Sequence, residues 1–154
     1  MVLMKKPTSA STRDIQTIGF APHGTMQLVI QDRLNVIEAE GPFNLELVRA
    51  GDAAQEQLDA QLQAKGRWGT ILIFKTSALA SFEVLEEIET ILKRRNDKGI
   101  CPTGVAIVLS PDVEGASLMS AFYLKAYTNA GIVTRVFDSR EAAQDWLLPI
   151  VLAA

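Results

Sequence analysis

The hydrophobic patterning of this chain predicts an α/β fold on a mixed sheet, and two features carry that reading. Two alternating runs stand close together near the start, Met26–Gln31 and Asn35–Glu40, as the strands of a β-hairpin do. After them, helical patterns alternate with short β-branched runs at Thr70–Phe74, Gly104–Leu109 and Ile132–Phe137. A helix between two buried strands joins them in parallel through a right-handed crossover. The expected order is β-β-α-β-α-β-α-β-α, in a sheet of about five strands.

Each element has a local cause. Residues 1–17 are rich in Ser, Thr and charge and read as a mobile N-terminal arm, leaving 18–154 as a single domain. The hairpin turns at Asp32-Arg33, and its second strand closes at Gly41-Pro42, where proline removes a ladder donor. Asn44 is placed to cap a helix whose apolar face is Leu47, Gly51, Ala54, Leu58 and Leu62, ending at Gly66. Gly51 inside that helix costs about 1 kcal/mol against alanine, which points to close packing or a local break. Thr70–Phe74 is nearly continuous in apolar residues, as a central strand is.

Ser81 caps the second helix, with Leu85, Ile88, Ile91 and Leu92 as its core face. Its early Glu83, Glu86 and Glu87 and late Lys93-Arg94-Arg95 suit the helix dipole. Val105–Leu109 is the next buried strand. Pro111 and Asp112 then break the pattern ahead of a third helix, Ala116–Thr128, closed by Gly131. After Ile132–Phe137, Asp138 or Ser139 caps a last helix, which Pro149 is expected to end or kink before an apolar tail, Ile150–Leu152.

The composition narrows the function. Hydrophobic residues make up 48% and charged residues 21% of 154, which excludes a disordered chain and suffices for one core. The net charge of −3 repels phosphate backbones, and Lys93-Arg94-Arg95 is explained by its helix end, so no nucleic-acid partner is expected. A single cysteine, Cys101, forms no intramolecular disulfide and gives no support for secretion. Nothing resembles a signal peptide or approaches the ~20 apolar residues of a bilayer span, so a cytoplasmic location is expected, with peripheral membrane contact as an option. One histidine, His23, and one cysteine give no metal-binding spacing. With no Gly-rich phosphate loop and no nucleophile elbow, no cofactor and no catalytic residue are assigned.

Three stretches carry a family likeness. Glu40-Gly41-Pro42-Phe43-Asn44 opens the first helix, Ala130-Gly131-Ile132 leads into Arg135-Val136-Phe137, and Ala142-Ala143 with Trp146-Leu147 completes the last helix. Together with the order of elements, they make the chain from Met26 to Leu148 resemble the SpoIIAA-like superfamily. This is the fold of STAS domains and anti-sigma-factor antagonists, and the chain looks most like the uncharacterised bacterial SpoIIAA-like branch. The resemblance implies one of two roles, neither enzymatic in the usual sense. Some members are phosphorylatable switches that bind a partner protein. Others, by similarity to CRAL-TRIO lipid-binding folds, hold apolar ligands or touch membranes.

Two places stand out for binding. The loop Lys75-Thr76-Ser77-Ala78-Leu79-Ala80-Ser81 joins a central strand to a helix N-terminus, the edge where α/β sheets hold ligands. In phosphorylatable STAS domains this loop begins with an aspartate and contains an acceptor serine. Here Lys75 replaces the aspartate, and Ser81, or less closely Ser77, falls near the acceptor position. The third helix is the other place. Leu118, Met119, Phe122, Tyr123, Leu124 and Tyr127 surround most of its circumference, more than one packed stripe needs. Trp146 and the apolar tail extend that surface. Phe122, Tyr123 and Tyr127 are therefore expected to stay partly accessible, at a cavity mouth or a subunit contact. The function expected is non-enzymatic binding of an apolar small molecule, a lipid or a protein partner through these residues, with a homodimer and a membrane surface as further options. A phospho-regulated STAS-like switch is the alternative, and an unrecognised hydrolase the second.

Overall fold

The computed structural model describes residues 7–17 and 20–153. In chain order the elements are β1 (Ser9–Ser11), a 3₁₀ turn (Thr12–Asp14), β2 (Thr25–Gln31), β3 (Leu34–Glu40), α1 (Leu45–Ala64) and β4 (Gly69–Lys75). They continue with α2 (Phe82–Asp97), β5 (Val105–Val108), α3 (Ala116–Asn129), β6 (Thr134–Phe137) and α4 (Arg140–Leu152). The strands form one mixed sheet in the order β1-β2-β3-β4-β5-β6. Pairing is antiparallel from β1 to β3 and parallel from β3 to β6.

The sheet has six strands, one more than the patterning predicts. Ser9-Ala10-Ser11 shows no apolar alternation, so nothing in it announces a strand. Pairing holds it instead: Ser9 lies opposite Val29 and Ser11 opposite Gln27. The next residue, Thr12, is buried, and its Oγ1 accepts the Met26 N–H at 2.9 Å. Residues 9–14, expected to be part of a mobile arm, are thus ordered against β2.

Strand geometry sorts the core into two layers, because alternate residues point to opposite faces. Asn35, Ile37 and Ala39 of β3, Leu72 and Phe74 of β4, and Val105 and Ile107 of β5 face α1, α2 and α3. Leu34, Val36, Ile71, Ala106 and Val108 face α4, whose Ala143, Leu147 and Val151 are sealed against them. The first-helix face read from the sequence is buried at every position, Leu47, Gly51, Ala54, Leu58 and Leu62.

The helix starts follow their capping residues. Asn44 Oδ1 accepts the Leu47 N–H at 3.0 Å, Ser81 Oγ the Val84 N–H at 3.3 Å, and Ser139 Oγ the Ala142 N–H at 3.2 Å. α4 departs from expectation at Pro149, which lies inside a helix that runs on to Leu152. Interior proline costs about 3 kcal/mol. The extra turn offsets this by burying Val151, which packs so closely on β4 that a Cβ at Gly69 would come within 2.7 Å of it. Arg67 also donates to the Ile150 carbonyl at 2.7 Å.

Candidate functional site

The inner face of β3 ends in a polar residue. Asn35 follows the same period as Ile37 and Ala39, and sits beside Ile30 on β2 and Thr70 on β4. Its side chain is 1% exposed. Above it passes α1. At Gly51 that helix comes so near the sheet that a Cβ would lie 2.5 Å from Met26 Sδ. This is the close packing that a mid-helix glycine implies. One turn later Gln55 points to the sheet, and Asn35 Nδ2 donates to Gln55 Oε1 at 2.7 Å. The other halves of the two amides, Asn35 Oδ1 and Gln55 Nε2, are buried with no partner among the described residues.

Between this face and the helices lies a cavity of about 140 Å³. Its walls are largely apolar: Met26, Ile37, Leu72 and Phe74 from the sheet, Val48 from α1, Ile88, Ile91 and Leu92 from α2, and Tyr123 and Tyr127 from α3. Where α1 meets α2, Asp52 and Arg95 line it too. Arg95 Nε donates to Asp52 at 2.8 Å, and one of its terminal nitrogens to both Asp59 oxygens at 2.8 and 3.0 Å. Arg94 also donates to Asp52. Two carboxylates thus face two guanidiniums and the local charge cancels. Burial acts to lower the Arg95 pKa, but Asp59 and then Asp52 outweigh it and hold the guanidinium above its ordinary value.

The remaining titratable groups along the cavity are held away from neutral pH. The Tyr123 hydroxyl donates to the Ala78 carbonyl at 2.7 Å, and burial, with a smaller contribution from Tyr127, pushes its pKa well up. Burial pushes Tyr127 up to about 12. It also raises the Cys101 thiol, which donates to Asn96 Oδ1 at 3.1 Å. These groups are suited to holding a neutral molecule.

The structure divides the residues that the sequence singles out. Tyr123 and Tyr127 line the cavity. Met119 and Tyr123 are core residues, so Tyr123 is sealed, contrary to the accessibility expected of it: its ring packs on Phe74 at 4.6 Å and its hydroxyl is taken by the Ala78 carbonyl. Leu118 and Phe122 lie on the outer side of α3. Phe122 meets Phe82 edge to face at 5.6 Å, while Leu118 is 63% and Phe82 71% exposed. Trp146 belongs to the opposite layer, packed on Phe137 at 5.6 Å, and forms no surface with α3.

The loop residues separate as well. Lys75 pairs with Glu38 at 2.8 Å. Ser77 is buried, its hydroxyl donating to Glu114 at 2.8 Å while accepting the Leu79 N–H at 3.2 Å. Ser81 is exposed and caps α2.

No family model, curated protein or solved structure matches the chain.

The residues that sequence reasoning missed are Asn35, Gln55 and the Asp52–Arg95 pair. Asn35 carries a readable signal, a polar side chain in step with the inward positions of a buried strand. Gln55 has one too, lying one turn after Gly51 on the same side of the helix. The cavity itself has none, since its walls come from four strands and three helices spread between residues 26 and 132.

Proposed function

We propose that this chain is a non-enzymatic binding module of the SpoIIAA-like kind that holds a small apolar molecule inside the domain, between the sheet and α1–α3. The cavity of about 140 Å³ is the observation that carries this reading. Native interiors leave few voids larger than a water molecule. A cavity of about 150 Å³ with comparable apolar walls takes up benzene. In this reading Tyr123 and Tyr127, which line the cavity, would meet the ligand from inside the domain.

Toluene is a suitable first probe. It should raise the melting temperature of the wild-type chain in a dose-dependent way. Ala39→Leu, which fills the cavity from β3, should fold and show no such rise. A wild type whose melting is indifferent to toluene and to larger apolar rings would rule this reading out.

A second reading rests on a separate observation, the exposed Phe82 and Leu118 beside Phe122. These residues form an outer patch suited to a protein partner, a second copy of the chain or a membrane surface. Sedimentation of wild type against a Phe82→Glu, Leu118→Glu variant tests it. Identical behaviour, alone and with vesicles, would dismiss the self-association and membrane forms.

A further inference from the structure

We propose that the molecule held in the cavity is neutral and carries a hydrogen-bond donor and acceptor on one small polar group, as a carboxamide or lactam does on an apolar ring. The proposal rests on the binding function above and specifies its ligand.

The Asn35–Gln55 pair is the basis. Two amides in contact have more hydrogen-bonding capacity than one bond uses. Here the single 2.7 Å bond leaves an acceptor, Asn35 Oδ1, and a donor, Gln55 Nε2, both buried and without a partner among the described residues. Turning both amides round exchanges their oxygens and nitrogens and again leaves one donor and one acceptor. The requirement therefore does not depend on how the amides are assigned. Buried polar atoms are nearly always paired in folded proteins, and leaving them unpaired costs more than a made bond gains. Asn35 also lies on the cavity wall, on a strand that can gain no solvent by turning.

Charge selects among the groups that fit. A carboxylate only accepts, so it satisfies Gln55 Nε2 and meets Asn35 Oδ1 lone pair to lone pair. An ammonium only donates, and fails in the opposite way. Either would also bring an unpaired charge into an apolar space, because the one cation on the wall, Arg95, is already held by Asp52 and Asp59. A carboxamide offers both functions without charge. Its ring would lie against Leu72, Phe74, Ile91 and Tyr127.

Calorimetric titration of the whole chain with benzamide, benzoate and toluene tests this. Benzamide should bind at least about tenfold more tightly than toluene, and benzoate more weakly than either. In Asn35→Leu the order should invert, toluene binding as well as or better than benzamide. Gln55→Met, at a less buried position, should narrow the benzamide preference in the same direction, so the test does not hang on one variant folding. If toluene matches benzamide in the wild type, the amide specificity is wrong while the cavity still binds. If benzoate matches benzamide, the requirement for neutrality is wrong. If benzamide binds both variants as it binds wild type, the amide pair takes no part, and water satisfies it instead. If none of the three binds, the cavity reading falls with it.

Discussion

Asn35 is the residue at which binding and stability pull apart. A buried amide with an unpaired oxygen is a poor choice for a core strand, and an apolar pair in place of Asn35 and Gln55 would be better for folding alone. The neighbouring cavity has room for the larger side chain, so overpacking does not arise. Asn35→Leu combined with Gln55→Met, which removes both amides at once, should therefore raise the free energy of unfolding by about 1–2 kcal/mol, read from the urea midpoint, whereas Asn35→Leu alone strands the Gln55 amide and should gain nothing. Asn35→Asp should lower the free energy of unfolding by several kcal/mol, since it buries a charge on a cavity wall where the arginine, Arg95, is already engaged by Asp52 and Asp59. A fall in stability for the double variant would mean that the amide pair is satisfied in the folded chain. Ser81 offers a milder case. As the α2 cap, Ser81→Ala should cost about 1 kcal/mol and Ser81→Asp close to nothing, because aspartate also caps and its charge suits the helix N-terminus. Loss of a bound protein in the aspartate variant alone, with unchanged melting, would revive the phospho-switch.

Helices α1 and α2 are joined by a clamp rather than by apolar packing alone. Arg95 spans from Asp52 to Asp59 with all three side chains largely buried, so removing it strands Asp59 and leaves Asp52 to Arg94 alone. Arg95→Met should destabilise the chain by about 3 kcal/mol by chemical denaturation, far more than its neighbour Lys93→Met, whose salt bridge is exposed. The element boundaries show where patterning works and where it does not. α1 and α2 were legible because each has one apolar stripe and a capping side chain. α3 was legible as a helix but not in its orientation: with apolar residues nearly all round, no stripe says which side meets the sheet. β1 was hidden because Ser-Ala-Ser has no alternation, its pairing being supplied wholly by β2. The run of α4 past Pro149 was hidden because a local breaker was outweighed by a distant partner, the surface of Gly69 under Val151.

Across the molecule, both tyrosines of the chain stand on one helix and both phenols are held protonated. A raised folded-state pKa stabilises the fold fully below the unfolded value of about 10 and loses its effect as pH rises through the folded one. For Tyr127 that window is pH 10 to about 12, and for Tyr123 it extends higher. Stability should thus fall with increasing alkalinity through this range, and phenolate absorbance should appear together with loss of helical circular dichroism. Phenolate forming before any unfolding would show the rings to be in contact with water. The α/β order, the parallel strands and most inward positions were readable from one-dimensional periodicity. The cavity was not, because it exists only where residues far apart in the chain fail to fill the space between them.

The strand order has a consequence in time. Because every strand lies beside the one that precedes it in the chain, no pairing waits for a distant segment, and a growing polypeptide can zip its sheet together strand by strand. α4 is the exception. It follows β6 yet seals Ile71, Ala106 and Val108, so the surface it covers is complete, and bare, before its cover exists. Until that helix arrives, a nascent chain carries a finished sheet with one sticky side. The moment of greatest risk on the ribosome then falls between the emergence of β6 and that of α4, when the sheet has formed and its cover has not.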